Sequence, residues 1–388
     1  MVRTSDVVVV GAGVIGLACA WRLAQDGAQV ALLDDGGPAA SDVAAGMLAP
    51  VTESSIAEPE MLRLGIAALR RFPSFVDALE AAGAAPVGLR REGTLALGLT
   101  PDDESALDHL VRTRERLGLA AERLARTALR AAEPFLSARV RGAVLVSDDL
   151  SVDPRRLVQA LRDTVSRLGV EILREPATSL VVRGGRAAGV RLASGEELTS
   201  ASVVLAGGAR SPLLAGVPDD ARPPVTPVQG HVLRLRPLPG APPTTLLDHT
   251  VRAMVRGRDV YLVPRTDGEL VVGATVERRG YDTTVSVAAV RKLLRSAYEV
   301  LPVVDDLALA EIGVGLRPGT PDNGPVVGWS SLPGLLVACG HYRNGVLLSA
   351  LTADEVARLV AGEPPGPEWE PFRPSRFAPI PRTVEESA

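Results

Sequence analysis

The sequence has few of the residues that build disulfides and metal sites, and its basic residues do not outnumber its acidic ones. Its 388 residues include two cysteines, Cys19 and Cys339, without CxxC spacing, and four scattered histidines. Two isolated cysteines predict buried free thiols, and scattered histidines predict no metal site. Lys292 is the only lysine, and the formal net charge is −4. A chain without a strongly basic surface is not expected to bind nucleic acid or an anionic membrane.

Long hydrophobic runs are also missing. The first apolar run, VVVV at residues 7–10, is interrupted by glycines at once, and no run reaches the roughly 20 residues that cross a bilayer. We therefore expect no targeting segment, no membrane span and a cytoplasmic protein. With 388 residues, 46% of them hydrophobic, the chain exceeds one usual domain, so two lobes are expected. The sequence leaves a homo-oligomer open.

The first strong motif is a strand, a glycine turn, a helix, a second strand and an acidic residue. The valines before Gly11 are typical of a strand buried on both faces. Gly11 allows a tight turn, Gly13 leaves room for a pyrophosphate, and Gly16 lets the helix pack on the strand. The helix N-terminus offers N–H groups to phosphates, and Asp34 stands where an acid accepts hydrogen bonds from a ribose. The motif predicts a dinucleotide site and leaves NAD and FAD open.

Further along the chain, helical and strand patterns are interleaved. Helical patterns cover residues 56–83, 102–131 and 286–300, and Asp153 and Pro154 are typical of the N-cap and first position of another helix. Strand patterns, linked by GG, SG and DG turns, occur at 93–97, 169–173, 178–192, 197–208, 229–236, 252–276 and 311–319. The proline-rich tail, 362–388, is expected to run irregularly over the surface.

Three buried strands end in glycines. They are VVVVGAG at 7–13, ASVVLAGG at 201–208 and GLLVACG at 334–340. Long insertions separate them, so they predict one nucleotide-binding lobe that is built from discontinuous pieces. An NAD dehydrogenase more often keeps its cofactor lobe contiguous, whereas the long FAD molecule touches several chain segments. The scatter favours a flavin.

Five stretches extend the motif from residue 7 to about residue 360: GAGVIGLACAWRLAQDG, AAGMLAP, VYLVPRTDGELVVGATVE, GLRPGTPDNGPVVG and GHYRNGVLL. Together they resemble the D-amino-acid oxidase superfamily of flavoproteins and, within it, the glycine oxidases of thiamine biosynthesis. The resemblance implies an α/β (α+β overall) fold with two lobes. A Rossmann-type FAD-binding lobe would use residues 1–55, 140–225 and 319–362. A mixed α/β substrate lobe with a large antiparallel sheet would use 56–139 and 226–318, followed by an irregular tail, 363–388.

The resemblance also implies which residues contact FAD. Besides the glycines and Asp34, the matching positions are Val14, Ile15, Asp35, Ala45, Gly46, Met47 and Ala177. We expect further cofactor contacts from Ala40, Ser41, Gly207, His341, Tyr342, Arg343, Asn344, Gly345, Val346 and Leu347. Some related flavoproteins attach FAD through a cysteine near Gly315 and Leu316, where this chain has none. FAD is therefore expected to be noncovalent.

The stretch from His341 to Gly345 lies between a predicted buried strand and a predicted helix. N–H groups at such a helix start would face the electron-rich pyrimidine edge of the flavin and favour its reduced state. The alternative is a helix N-terminus that is merely polar. That alternative favours a capping Ser, Thr or Asp rather than His-Tyr-Arg-Asn.

Three side chains are candidates for the substrate. Arg317 ends an apolar strand and either clamps a carboxylate through two hydrogen bonds or forms a structural ion pair. Tyr261 either directs its hydroxyl at the substrate or is an ordinary half-buried aromatic residue. Arg343 is either a second carboxylate contact or a cover for the flavin edge. Asp259 and Val276 stand where some relatives carry histidine and methionine, which leaves the substrate preference open.

The resemblance implies FAD-dependent oxidation of a small amino acid at Cα. Glycine would bind with its carboxylate on Arg317 and lose hydride to the flavin, and dioxygen would take the electrons as hydrogen peroxide. The imine would yield glyoxylate and ammonia or supply thiazole formation. A D-amino-acid or N-methyl-amino-acid oxidase or dehydrogenase is the alternative. No Ser/His/Asp or Cys/His arrangement is evident, in keeping with a reaction that needs no nucleophile.

Overall fold

The computed structural model describes residues 3–53, 58–240 and 245–377, which form a mixed α/β fold. The strands are β1 (Arg3–Val10), β2 (Val30–Leu33), β3 (Met47–Leu48), β4 (Thr94–Gly98), β5 (Glu122–Leu124), β6 (Gly142–Val146), β7 (Leu150–Ser151), β8 (Glu171–Leu173), β9 (Ala177–Arg183), β10 (Arg186–Leu192), β11 (Glu197–Leu205), β12 (Thr226–Pro237), β13 (Thr250–Val255), β14 (Arg258–Pro264), β15 (Leu270–Gly273), β16 (Leu307–Gly319), β17 (Val326–Trp329) and β18 (Leu335–Cys339).

Helices connect these strands. The α-helices are α1 (Val14–Gln25), α2 (Ala40–Val43), α3 (Pro50–Glu53), α4 (Pro59–Ala81), α5 (Pro101–Arg116), α6 (Arg126–Ala132), α7 (Pro154–Arg167), α8 (Val287–Val300) and α9 (Gly345–Val360). Short 3₁₀ helices cover Gly208–Leu213, Asp219–Ala221, Pro302–Asp306, Pro367–Phe372 and Pro374–Phe377. In the ranges that the structure describes, no helix is both long enough and apolar enough to span a bilayer.

The first of two eight-stranded sheets has the order β17-β18-β11-β1-β2-β8, with β10 pairing β11 and β9. Val8 of β1 lies opposite Val203 of β11, which lies opposite Leu335 of β18, all in parallel register. The three glycine-terminated strands are therefore neighbours, as the sequence predicts. Because parallel strands end at one edge, the glycine turns that follow them meet at that edge.

Apolar helices cover this sheet. Val7 and Val9 of β1 are buried in one apolar cluster with residues of α1 and α9, and Val8 is buried in a separate cluster that contains Leu180 and Leu214. Trp21 of α1 packs edge-on against Phe75 of α4, with ring centroids 5.2 Å apart. These contacts fix the start of α1 against the glycine turn that follows β1.

The second sheet has the order β16-β12-β15-β14-β13-β4-β6-β5. It is antiparallel except where β13 runs parallel to β4, and α8 packs on it. Its core includes Leu233, Leu262 and Leu293, which are at most 2% exposed. The predicted large antiparallel sheet is thus present. The division of the chain into two lobes at the predicted residues stays a prediction.

Most predicted elements form where expected. Asp153 caps α7 by accepting hydrogen bonds from the N–H groups of Arg155 and Arg156, and Ser286 caps α8. Helix α4 lies within the predicted 56–83, of which residues 56 and 57 are outside the described ranges. Cys19 and Cys339 are buried free thiols, as predicted.

Two expectations were wrong in part. The helical pattern of 102–131 is not one helix, because Gly118 adopts φ +66° after α5 and β5 intervenes before α6. Strand β6, residues 142–146, pairs in the second sheet with β4 and β5, and the predicted range 140–225 for the FAD lobe, which includes it, stays a prediction. Apolar alternation identifies a strand and not its sheet. In the tail, Trp369 is 1% exposed and joins the core of the first sheet. Residues 378–388 lie outside the described chain.

Candidate functional site

A cavity of about 480 Å³ lies between the two sheets. One end is lined by the glycine turns after β1 and β11 and by the loop before α9, and the other by the faces of β12, β14 and β16. The cavity therefore joins the predicted dinucleotide motif to the predicted substrate residues.

The start of α1 forms the phosphate end of this cavity. Its N-cap is Gly13, without a side-chain cap and without an acidic residue in the first turn. A Cβ on Gly13 would meet nothing closer than Ala39 Cβ at 3.7 Å and Ser41 Oγ at 3.9 Å. Ser41 is buried, and its hydroxyl has no partner among the described residues. The uncapped N–H groups of α1, the open space at Gly13 and the unpaired Ser41 hydroxyl are features that fit the binding of a pyrophosphate.

The other two glycines of the motif are required by the protein itself. A Cβ on Gly16 would lie 1.8 Å from the carbonyl oxygen of Gly11, and a Cβ on Gly11 would lie 2.6 Å from that of Ala206. Gly11 also adopts φ +107°, which disfavours any other residue. Gly16 thus allows the helix to pack on the turn, as predicted, and it does not line the cavity.

Asp34 stands at the end of β2 and lines the cavity, as the dinucleotide motif requires. One of its carboxylate oxygens accepts a hydrogen bond from the N–H of Gly36 at 3.0 Å, and the other from Arg162 Nη1 at 2.7 Å. Arg162 lies on α7 and also lines the cavity. The sequence analysis missed Arg162, because nothing in the helical pattern of α7 indicates that it faces Asp34.

The segment Ala45–Met47 lies between the two sheets and lines the cavity. Arg265 is 4% exposed and donates hydrogen bonds to the carbonyl oxygens of Ala45, at 2.6 Å, and Val152, at 3.0 Å. Burial lowers the pKa of the Arg265 guanidinium to about 10. The arginine is thus a charged clamp that holds this segment against the second sheet.

Arg317 lies at the substrate end, near the end of β16. Its Nη1 donates a hydrogen bond to the carbonyl oxygen of Thr275 at 3.0 Å. A Cβ on Gly230, in the neighbouring strand β12, would lie 2.2 Å from that Nη1, so the glycine makes room for the guanidinium. Among the residues that the structure describes, no acidic side chain forms an ion pair with Arg317. The half-buried guanidinium is thus held by neutral groups and directs its charge at the cavity.

Tyr261 lines the same cavity from β14. It is half-buried beside the apolar cluster that contains Ala45 and Val232. A Cβ on Gly273, in the adjacent strand β15, would lie 2.3 Å from the Tyr261 ring. The sequence analysis did not single out Gly230 or Gly273. A glycine inside a strand run is the signal that would have found them, because it marks a close approach.

The loop before α9 reaches the cavity from the first sheet. Tyr342 adopts φ +47°, and its N–H donates to the carbonyl oxygen of Pro318 at 2.9 Å, which ties the loop to the end of β16. Asn344 is the N-cap of α9 and makes no side-chain capping hydrogen bond. The first N–H groups of α9, at Gly345 and Val346, thus lie at the cavity.

The side chains of this loop point in different directions. The His341 ring is 2% exposed, and its Nε2 lies 3.0 Å from the Thr352 hydroxyl. Burial lowers the pKa of His341 to about 3, so the ring is neutral and supports the loop from behind. Arg343 is exposed and stacks over the Tyr342 ring at 5.1 Å. Leu347 is buried in the core.

The structure brings most of the predicted site residues to one cavity. Three of them, Gly16, Asn344 and Leu347, do not line it; the others do, namely Gly11, Gly13, Val14, Ile15, Asp34, Asp35, Ala40, Ser41, Ala45, Gly46, Met47, Ala177, Gly207, Tyr261, Arg317, His341, Tyr342, Arg343, Gly345 and Val346. Asp259 and Val276 line it as well. Direct contacts of these residues with cofactor or substrate stay predictions.

The DAO family model, which describes FAD dependent oxidoreductases, matches residues 6–359 of this chain. The chain belongs to this family. FAD is its cofactor, and the resemblance predicted from the sequence motifs is confirmed. This FAD-dependent oxidoreductase also has a cavity whose open Gly13 approach and unpaired Ser41 hydroxyl fit the cofactor.

Within this family, the chain is similar to relatives of named activity. The chain is 34% identical over 383 residues to the bifunctional protein ThiO/ThiG of Synechocystis sp., covering 97% of this chain and 55% of the relative. It thus spans about half the length of that relative. It is 30% identical over 380 residues to a glycine oxidase of Geobacillus kaustophilus, covering 97% of this chain and 98% of the relative. The crystal structure of glycine oxidase from Geobacillus kaustophilus superposes with a TM-score of 0.87, at 30% identity, covering 96% of this chain and 99% of that one.

Proposed function

We propose that this FAD-dependent oxidoreductase oxidises glycine at the Cα–N bond to an imine, with dioxygen reduced to hydrogen peroxide. Water then converts the imine to glyoxylate and ammonia. The observation that carries the proposal is Arg317, a half-buried guanidinium at the cavity that no acidic side chain neutralises among the described residues. The glycine oxidase and ThiO/ThiG relatives support it.

Each part of the cavity has a role in this reaction. Arg317 would bind the carboxylate of the substrate through paired hydrogen bonds. FAD, when bound, accepts the hydride and passes the electrons to dioxygen. The N–H groups at the start of α9 would stabilise negative charge that develops nearby. The neutral His341 adds no charge of its own to that region.

The ThiO/ThiG relatives suggest a use for the product. In those proteins the matched half is joined to a second part. We infer that the imine formed here supplies thiazole synthesis in thiamine formation, through a separate or appended partner. A cytoplasmic location and a homo-oligomeric state are likewise predictions, which cell fractionation and mass measurement in solution test.

A peroxide assay tests the proposed reaction. The purified flavoprotein is given glycine, sarcosine, D-alanine or D-proline, and peroxide release is measured per bound flavin. We expect glycine to have the highest kcat/KM. A preference for sarcosine or for D-alanine and D-proline would replace the proposal with an N-methyl-amino-acid or a D-amino-acid oxidase. Flavin reduction by glycine without peroxide would indicate a dehydrogenase that uses another acceptor.

A further inference from the structure

We propose that His231 and Thr275 are positioning residues that hold Arg317 in the orientation that binds the substrate carboxylate. The inference rests on the proposed function, because it requires that Arg317 receives that carboxylate. Neither residue lines the cavity, and both are at most 2% exposed. They would therefore act on the substrate only through the arginine.

The first step of the argument is the contact between Thr275 and Arg317. The carbonyl oxygen of Thr275 accepts the hydrogen bond from Arg317 Nη1 at 3.0 Å. Gly230 lies against the same guanidinium and leaves no room there for even a Cβ, which would lie 2.2 Å from Nη1. The remaining N–H groups of Arg317 have no partner among the described residues. The position of one carbonyl group therefore sets where the free donors of the guanidinium point.

The second step concerns what holds that carbonyl. Thr275 follows the last residues of β15 and leads into a loop that ends at Ser286. Its hydroxyl accepts a hydrogen bond from the backbone N–H of His231 at 3.0 Å and lies 2.8 Å from His231 Nδ1. A buried hydroxyl with two such contacts fixes the backbone on either side of it.

The third step assigns the tautomer of His231. The backbone N–H of Ser286, the N-cap of α8, donates to His231 Nε2 at 3.4 Å. Since Nε2 accepts, the proton of the ring lies on Nδ1, which donates to the Thr275 hydroxyl. One buried ring thereby holds both ends of the loop between Thr275 and Ser286. Tyr281, within that loop, donates to the carbonyl oxygen of Ala209, in the 3₁₀ helix that follows β11, at 3.1 Å.

The register of the second sheet explains why these residues meet. His231 and Gly230 are consecutive in β12, so their side-chain positions face opposite sides of the sheet. Gly230 faces Arg317, whereas His231 faces α8. His231 therefore lies on the face of the sheet opposite to Arg317 and acts on the arginine through Thr275.

The test measures carboxylate binding directly. The FAD-loaded protein is titrated with acetate, and the flavin absorbance reports occupancy. Thr275→Val keeps the carbonyl and removes the hydroxyl, and His231→Leu removes the ring. We expect both variants to weaken acetate binding on the order of tenfold, the effect of losing one buried hydrogen-bond partner. KM for glycine should rise in proportion, with a smaller change in kcat.

Conservative variants separate positioning from general loss of stability. Thr275→Ser keeps the hydroxyl, and His231→Asn places an amide nitrogen near the position of Nδ1, so both should retain acetate affinity. His249→Leu is the matched control, since His249, just before β13, has its Nδ1 2.8 Å from the buried Glu133 and does not line the cavity. It should lower the melting temperature and leave acetate affinity unchanged.

The variant Arg317→Ala distinguishes failure of the proposed carboxylate contact from failure of the positioning role. If that variant binds acetate as the wild type does, the carboxylate contact of the proposed function is wrong. A different result is that Arg317→Ala weakens acetate binding and that Thr275→Val and His231→Leu, both folded and loaded with FAD, do not weaken it. In that case the positioning role alone is wrong. A wild type that binds acetate but does not oxidise glycine would overturn the reaction, and the acetate titrations would still decide the inference.

Discussion

Arg317 offers the most direct test of the cavity at the scale of one residue. Arg317→Ala removes a charge-assisted, paired contact with the substrate carboxylate. We expect kcat/KM for glycine to fall on the order of 10²- to 10³-fold. Arg317→Lys should recover only part, because an ammonium group cannot reproduce the planar fork of the guanidinium. The measurement is peroxide release per bound flavin.

Flavin content and melting temperature are the controls for Arg317. Both should change little in Arg317→Ala, since among the described residues the guanidinium donates a hydrogen bond only to the Thr275 carbonyl oxygen. Amines without a carboxylate should be poor substrates for the wild type and should lose little in the variant. Near-wild-type turnover of glycine in Arg317→Ala would contradict the assignment.

Gly13 and Gly16 form a matched pair for cofactor binding. Gly13→Val should abolish FAD retention while the protein still folds, because a Cβ there meets no protein atom closer than 3.7 Å and the side chain fills the approach to the phosphates. Gly16→Val should prevent folding, because its Cβ would lie 1.8 Å from the Gly11 carbonyl oxygen. Flavin content and circular dichroism distinguish the two. A Gly13→Val protein with full flavin occupancy would contradict the phosphate site.

His341 makes stability depend on pH in a predictable direction. Its pKa is about 3 in the fold, against 6.5 for the free side chain, so the unfolded chain binds a proton first as the pH falls. Between pH 7 and pH 5 the wild type should lose about 2 kcal/mol of unfolding free energy relative to a variant that does not titrate there.

His341→Gln is the variant that tests this pH dependence. Its amide nitrogen can still donate to the Thr352 hydroxyl. Denaturant unfolding at pH 7, 6 and 5, with excess FAD, should show the two proteins diverging as the pH falls. If the free energies of unfolding of the two proteins change equally with pH, the His341 ring becomes protonated in the folded protein.

At the scale of elements, the cap of α7 has a measurable effect. Asp153 accepts two backbone hydrogen bonds at the start of this helix. Asp153→Ala should lower the free energy of unfolding by about 1 kcal/mol. Asp163→Ala, at an exposed site on the same helix, is the control and should change it by less than about 0.5 kcal/mol. Equal effects in urea unfolding would argue against the capping role.

The elements also show which features could be predicted from the sequence. The glycine-terminated strands and the cap Asp153 were predictable because each depends on a local pattern that has one structural meaning. The break after α5 was missed because a helix pattern continues on both sides of Gly118. The contacts of Arg162, Arg265 and Thr275 join residues far apart in sequence, and no local pattern records them.

At the scale of the whole molecule, we expect FAD to be released when the protein is denatured in acid. Cys339 lines the cavity, but burial raises the pKa of its thiol to about 12, so it is a poor nucleophile. Cys19 is buried in α1, and burial raises its pKa as well. After acid precipitation, the flavin absorbance should be found in the supernatant. Flavin that stays with the precipitated chain would show a covalent bond.

The order of strands in the first sheet has a consequence for biosynthesis. β1 pairs with β11, nearly two hundred residues later, and β11 pairs with β18, more than a hundred residues further along the chain. Pairings between such distant segments form slowly, and unpaired strand edges attract other chains meanwhile. We therefore expect the nascent chain to depend on chaperones until β18 has been synthesised, and we expect flavin binding to follow the pairing of β18 with β11.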